Sequence, residues 1–238
     1  MAETSNPVSI GFILTTIATL WFFYQSSKSK NVLFTILTWM ILVGLLGLIG
    51  FYQVKNTTPP RFIFLLGPGI VLVLIYSLTH RGRKFIDEQS LKWLTLLHAV
   101  RIPVEIILYY IFLEGYIPDL MTFKGYNYDI ISGLSAPIMH YAVFVRHWVG
   151  KKGLLIWNFI CLGLLINILT IAVLSAQTPL QRLAFNQPNI GATFFPYVWL
   201  PAVIVPIVLF SHLASIKQLL SLKNNGAIMS IYRTKRNQ

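Results

Sequence analysis

Acidic side chains are scarce in this chain. Seven of its 238 residues are Asp or Glu, against nineteen Lys and Arg, and charge of either sign makes up 11% of the sequence. A soluble domain carries roughly 25% charged residues. With 55% of positions hydrophobic, too little polar surface remains to cover a globule in water. The deficit excludes an ordinary soluble domain and predicts an all-α polytopic membrane protein. Cysteine is reduced to one, Cys161, so no disulfide framework can form and the redox compartment is not readable from cysteine usage.

Other features are missing as well. The opening segment MAETSNPVS has no Lys or Arg, and no small-residue cleavage site follows WFFYQSSK. The first apolar run therefore reads as a retained helix and not as a secretory signal. No internal repeat and no separate soluble domain is evident. A seven-helix zinc hydrolase would need an HxxxH pair or similar cluster, and none occurs. An intramembrane aspartyl protease needs two carboxylates sharing a proton, and the Tyr128-Asp129 pair has no Gly-Asp counterpart. No lysine stands mid-way along the last apolar run, which excludes a retinal Schiff base, and YSLTHRGRKF stands where a G-protein-coupled receptor would end its third helix with an acidic-arginine-aromatic triplet.

What is present is apolar and regularly interrupted. Seven runs can be read, at 8–24, 32–52, 62–78, 91–113, 128–149, 154–176 and 191–216. Each is near the roughly 17–25 residues that cross a hydrocarbon core as a helix. Only helices satisfy their own backbone there. Placing the N-terminus outside puts Lys28, Lys30, Arg81, Arg83, Lys84, Lys92, Arg146, Lys151, Lys152, Lys217, Lys223, Arg233, Lys235 and Arg236 in cytoplasmic segments. The opposite side keeps Lys55, Arg61, Lys124 and Arg182. The positive-inside rule then predicts seven transmembrane helices in 1–216, N-terminus out, with a basic cytoplasmic tail at 217–238. The net charge of +12 is thereby a matter of topology and of anionic lipid at the inner face, with no nucleic acid implied. The expected location is the inner or plasma membrane.

The fourth run contains LLHAVRIPVEIILYY, which places His98, Arg101, Glu105 and Tyr109 on one helical stripe. At a rise of about 1.5 Å per residue, Arg101 lies roughly 15 Å into a helix that starts near Leu91. An ionised arginine at that depth must face the bundle interior. Glu105, four residues on, is the expected counter-charge, and Pro103 frees the carbonyl of Ala99 beside them. The fifth run offers Asp129, Gly133, Ala136 and His140 on a facing stripe, with Asp129 also able to cap the helix start. The sixth adds Asn158 and Asn167. The seventh adds Trp199 and His212, and Pro196, Pro201 and Pro206 should bend it.

These residues predict a polar pocket among helices four to seven that opens outward. Arg101 is its expected anion partner, Glu105 its proton acceptor, and His98 and His140 its titratable neighbours. The candidate ligand-binding set is His98, Arg101, Glu105, Tyr109, Asp129, His140, Asn167 and Trp199. The expected function is binding or translocation of a small anionic or amphipathic solute, with no resident cofactor. A metal- or haem-dependent membrane enzyme using His98, His140 and His212, and a lipid-contacting scaffold or sensor, are the competing classes. The aromatic- and amide-rich connections at 114–127 and 177–190 are expected to fold over the pocket as a lid.

Overall fold

The computed structural model describes residues 5–54, 57 and 59–222. Lys55 and the basic residues from Lys223 onward lie outside that range. The described chain is helical, and its strand content is one isolated bridge between Ala176 and Asn189. Helix α1 runs Asn6–Ser27 and α2 runs Lys30–Leu48. Pro7 opens the first, and Lys28 closes it in a left-handed conformation at φ 51°. The Ser29 hydroxyl then caps the second through the Val32 amide.

Helix α3, Ile63–Leu78, turns by 92° into α4, His80–Glu88. Thr79 caps α4 by accepting from the Gly82 amide at 3.0 Å. A Cβ at Gly82 would sit 1.7 Å from the Tyr76 carbonyl oxygen, so only glycine permits so sharp a corner. The basic segment between the third and fourth apolar runs is thus a short amphipathic helix. It presents Arg81, Arg83 and Lys84 outward and buries Ile86.

The fourth run is one span in two pieces, α5 (Leu91–Leu97) and α6 (Arg101–Leu113), joined by a 3-10 turn over His98–Val100. Pro103 explains the turn, since it cannot donate to Ala99 and its ring crowds the turn below. Helix α7, Asp129–Phe144, is shorter than the 128–149 run. The Arg146 amide turns back to the Tyr141 carbonyl, and His147 takes φ 58°. Helix α8 covers Lys151–Leu174. The last run differs most. Residues 194–198 are not helical, Pro201 enters a π-helical stretch at Leu200–Ile204, and α9 follows at Val205–Ser221. Lys217 therefore belongs to a helix, where its ammonium donates to the Ser77 carbonyl at 2.6 Å.

Among the described residues, five spans are long and apolar enough to cross a membrane: α1, α2, α5–α6, α8 and Leu200–Ser221. The bent α3–α4 pair makes a sixth if it counts as one span. At 16 residues each, α3 and α7 reach only about 24 Å. The span Leu200–Ser221 is the hub, with 78% of its apolar window buried against 22% for α2. Pro206 removes the donor for the Ala202 carbonyl, and the Trp39 indole of α2 donates to that oxygen at 3.0 Å. Trp199 returns the contact by donating to the Met40 carbonyl at 3.0 Å. Much of the outer surface is large and apolar, with Phe34 72% and Leu72 64% exposed. Lipid tolerates such a surface, whereas water drives it to associate.

Candidate functional site

Arg101 begins α6 and is 3% exposed. Its counter-charge is Asp129, the first residue of α7, with Nη1 donating to Oδ1 at 2.7 Å. The expected pairing with Glu105 is therefore corrected. Shared helix face makes an i,i+4 pair available, but α7 supplies a closer acceptor because Gly133 lets the two backbones nearly touch. A Cβ at Gly133 would stand 2.9 Å from the Ile102 nitrogen. Asp129 does not cap its own helix through its side chain. Its amide instead donates to the Asn127 side-chain oxygen at 3.1 Å, and Ser132 donates to its carboxylate at 3.5 Å.

The guanidinium is held further by the Cys161 carbonyl at 3.4 Å and by His212 Nε2 at 3.2 Å. These contacts define the histidine. Arginine only donates, so His212 Nε2 must be the bare, accepting nitrogen, and the ring proton lies on Nδ1. From there it reaches Asn158 Oδ1 at 3.0 Å, while Asn158 Nδ2 donates to the Leu154 carbonyl at 2.9 Å. The cluster thus presents a neutral His212, with both ring nitrogens of that imidazole engaged. His98 stacks flat on His212, ring centroids 3.9 Å apart at 13°, and Trp157 packs edge-on at 5.6 Å. Neither ring nitrogen of His98 has a hydrogen-bond partner among the described residues.

Glu105 is 2% exposed and is held differently. Asn127 Nδ2 lies 2.7 Å from both carboxylate oxygens and also donates to the Met121 carbonyl at 3.0 Å. Among the described residues no Lys, Arg or His comes within 4.0 Å of that carboxylate.

The remaining expected site residues lie elsewhere. His140 sits beside Phe144 at 5.6 Å and joins none of these contacts, because Asp129 and Gly133, not the middle of α7, face Arg101. Tyr109 accepts from Lys124 Nζ at 2.7 Å on the 114–127 connection. Asn167 is exposed and donates to the Tyr126 carbonyl at 2.8 Å. Trp199 ties to α2 as described. Among the described residues no three His, Cys, Asp or Glu side chains gather as a metal-binding group, so His98, His140 and His212 do not converge.

Two cavities lie above the cluster. The inner one, about 70 Å³, reaches Arg101, Glu105 and Asp129, with walls otherwise largely apolar, such as Leu66, Leu165 and Val208. The other, about 270 Å³, lies between the 49–62 connection and the 176–194 segment. Arg61 is the one charged side chain among its described lining residues. Its Nη1 donates to the Phe51 carbonyl at 3.2 Å, and its guanidinium lies 4.5 Å from the Phe51 ring centre. Phe62 and Asn189 line both cavities. Asn189 is 2% exposed, its Nδ2 donates to Ala172, and its Oδ1 has no partner among the described residues. Asn127 and Arg61 carried no site signal in the sequence, since both stand in connections. What they face, Glu105 for Asn127 and the 176–194 segment across the cavity for Arg61, is set by the tertiary structure.

The two long connections are ordered against each other. Gln187 Nε2 donates to the Phe112 and Ile117 carbonyls at 3.0 and 2.6 Å, and the Ile190 and Gly191 amides both bond the Tyr116 carbonyl.

No curated protein and no solved structure is matched by this chain. The family model of DUF8737, described as a domain of unknown function, matches residues 59–220. That stretch covers more than half of the chain and holds every residue of the buried cluster, so the protein belongs to the DUF8737 family.

Proposed function

We propose that this protein threads the cell membrane seven times, N-terminus outside and C-terminus cytoplasmic, and admits a small anionic or amphipathic solute from the outer side. The observation that carries this reading is the adjacency of the two cavities. They share Phe62 and Asn189, and the inner one ends on Arg101, Glu105 and Asp129. The larger cavity thus adjoins the one that ends on the only buried ion pair among the described residues. In this reading α3 and α7 cross with the help of flanking residues and local thinning of the bilayer. The exposed Arg81, Arg83 and Lys84 of α4 meet anionic lipid on the cytoplasmic leaflet.

The chemistry of recognition follows from which arginine is free. Arg101 has both terminal nitrogens engaged by Asp129, Cys161 and His212, so its part is to hold the inner site together. Arg61 keeps donors available in the larger cavity, and its planar fork suits a carboxylate or phosphate. The solute would seat its anionic end on Arg61 and its apolar part toward Phe62.

The test is a thermal-shift screen of small organic anions on the purified full-length protein, followed by uptake into proteoliposomes. A stabilising compound should lose its effect in Arg61→Gln and keep it in Arg182→Gln, because Arg182 bonds backbone carbonyls in its own turn. Compounds that bind equally well to Arg61→Gln would overturn the assignment.

A further inference from the structure

We infer that Glu105 is a proton-binding seat, filled from the outer side through the same two cavities. The inference rests on the reading of those cavities as the solute path, and it adds a second ligand, the proton, to that path.

The argument is one of charge and access. Arg101 is matched by Asp129 at 2.7 Å, and the hydrogen bonds of His212 fix it as neutral. Glu105 is then the surplus charge of the cluster, with a single amide donor, Asn127, shared between its two oxygens. A buried carboxylate in that position must be neutralised, because neither solvent nor a contact cation compensates it. Asp129 from α7 and Arg101 from its own helix are the other charged groups lining this cavity. Helices α3, α8 and α9 contribute apolar side chains such as Leu66, Ile168 and Val208. That wall offers too few oxygens for a hard metal cation, which takes about six. A proton needs one.

Access comes from the second observation. Asn189 stands where the cavities meet, and its buried Oδ1 lacks a partner among the described residues. An acceptor placed there suits a donor arriving along the path, and water is the smallest such donor. The inner volume of about 70 Å³ has room for a water at the ~10–15 Å³ one requires by this measure, and Glu105, Asp129 and Asn189 on its otherwise apolar wall are the polar partners such a water would have. Loading is then a balanced transfer. A hydronium in the cavity gives its proton to a Glu105 oxygen, an O–H bond forms on the carboxyl, and a neutral water remains. Unloading reverses it.

The experiment is infrared difference spectroscopy on the full-length protein in lipid nanodiscs across a pH series. A protonated-carboxyl C=O band should be present at neutral pH, fade as pH rises and vanish in Glu105→Gln. If that variant does not insert, Asn127→Ala serves instead, since loss of the amide donor should move the band. No band, a band indifferent to both substitutions, or a band displaced by sodium chloride at constant pH would overturn the proposal. The spectrum needs no solute. A band with no solute dependent on Arg61 therefore defeats the solute reading alone, whereas Arg61-dependent binding without the band defeats this one alone.

Discussion

Arg101 and Asp129 meet at 2.7 Å across 28 residues of sequence, with side chains 3% and 7% exposed. A pair so buried is asymmetric in its energetics. Removing one partner leaves an uncompensated charge, at a cost of about 3–5 kcal/mol, whereas replacing both with apolar groups is often neutral or better. Asp129→Asn should therefore lower the unfolding temperature in detergent more than Arg101→Met combined with Asp129→Leu. A double variant less stable than either single one would mean that the pair itself supplies net stability.

The histidine at the other end of the guanidinium carries a defined tautomer. His212 accepts from Arg101 through Nε2 and donates from Nδ1 to Asn158. Nitrogen-15 NMR of histidine-labelled protein should find Nε2 bare and Nδ1 protonated, and the reverse assignment would contradict the hydrogen-bond order. His212→Phe should keep the stack on His98 but leave the guanidinium one acceptor short, costing about 1–3 kcal/mol.

Gly133 sets the approach of α7 to α6. An added methyl would meet the Ile102 side chain and backbone nitrogen, both at 2.9 Å. Gly133→Ala should destabilise by about 1–3 kcal/mol through overpacking, and should loosen the Arg101–Asp129 contact with it. A methyl added at Gly163 on α8 would meet nothing within 4 Å, so Gly163→Ala should be neutral or gain up to about 1 kcal/mol of helix propensity. Equal losses at the two positions would show that helix contact is not what Gly133 provides.

The two long connections are cross-linked by backbone hydrogen bonds. Amides of Asn189, Ile190 and Gly191 donate to the Ser175 and Tyr116 carbonyls and should exchange with deuterium far more slowly than free peptide. Gln187→Ala, which removes two bonds to Phe112 and Ile117, should speed them. Random-coil exchange in the unmodified protein would remove the idea of an ordered cover over the cavities.

Threading can be read by chemical labelling. Tyr126 and Phe185 are 62% and 70% exposed, and Arg81 is exposed on α4. A cysteine at either of the first two positions should react with an impermeant maleimide in intact cells, and one at Arg81 should react only after permeabilisation. The native Cys161 is buried and supplies the background. The opposite pattern would invert the orientation.

The sequence by itself was enough to specify what depends on local composition. Long apolar runs dictate helices with lipid-tolerant surfaces because a backbone without water must bond to itself. A charged stripe in the fourth run dictates a polar interior, and His98, Arg101, Glu105 and Asp129 stand in the candidate set. Asn158 and His212, by contrast, are visible only as polar residues of the sixth and seventh runs, and Tyr109, His140, Asn167 and Trp199 lie apart from the buried cluster. Local pattern also implied a distorted last span, since prolines 196, 201 and 206 cannot continue a ladder. Partner choice was a different matter. The i,i+4 rule sees only one helix, so it offers Glu105 to Arg101 and is blind to Asp129. Helix spacing decided between them, and that spacing hangs on a glycine facing a backbone nitrogen in another element. Asn127 and Arg61 belong to connections with no periodicity, and they acquire their roles only when distant segments close around a cavity. The end of α7 was likewise settled by the turn at its terminus, where hydrophobicity continues past the point at which the helix stops, whereas α9 runs on past the last apolar run to Ser221.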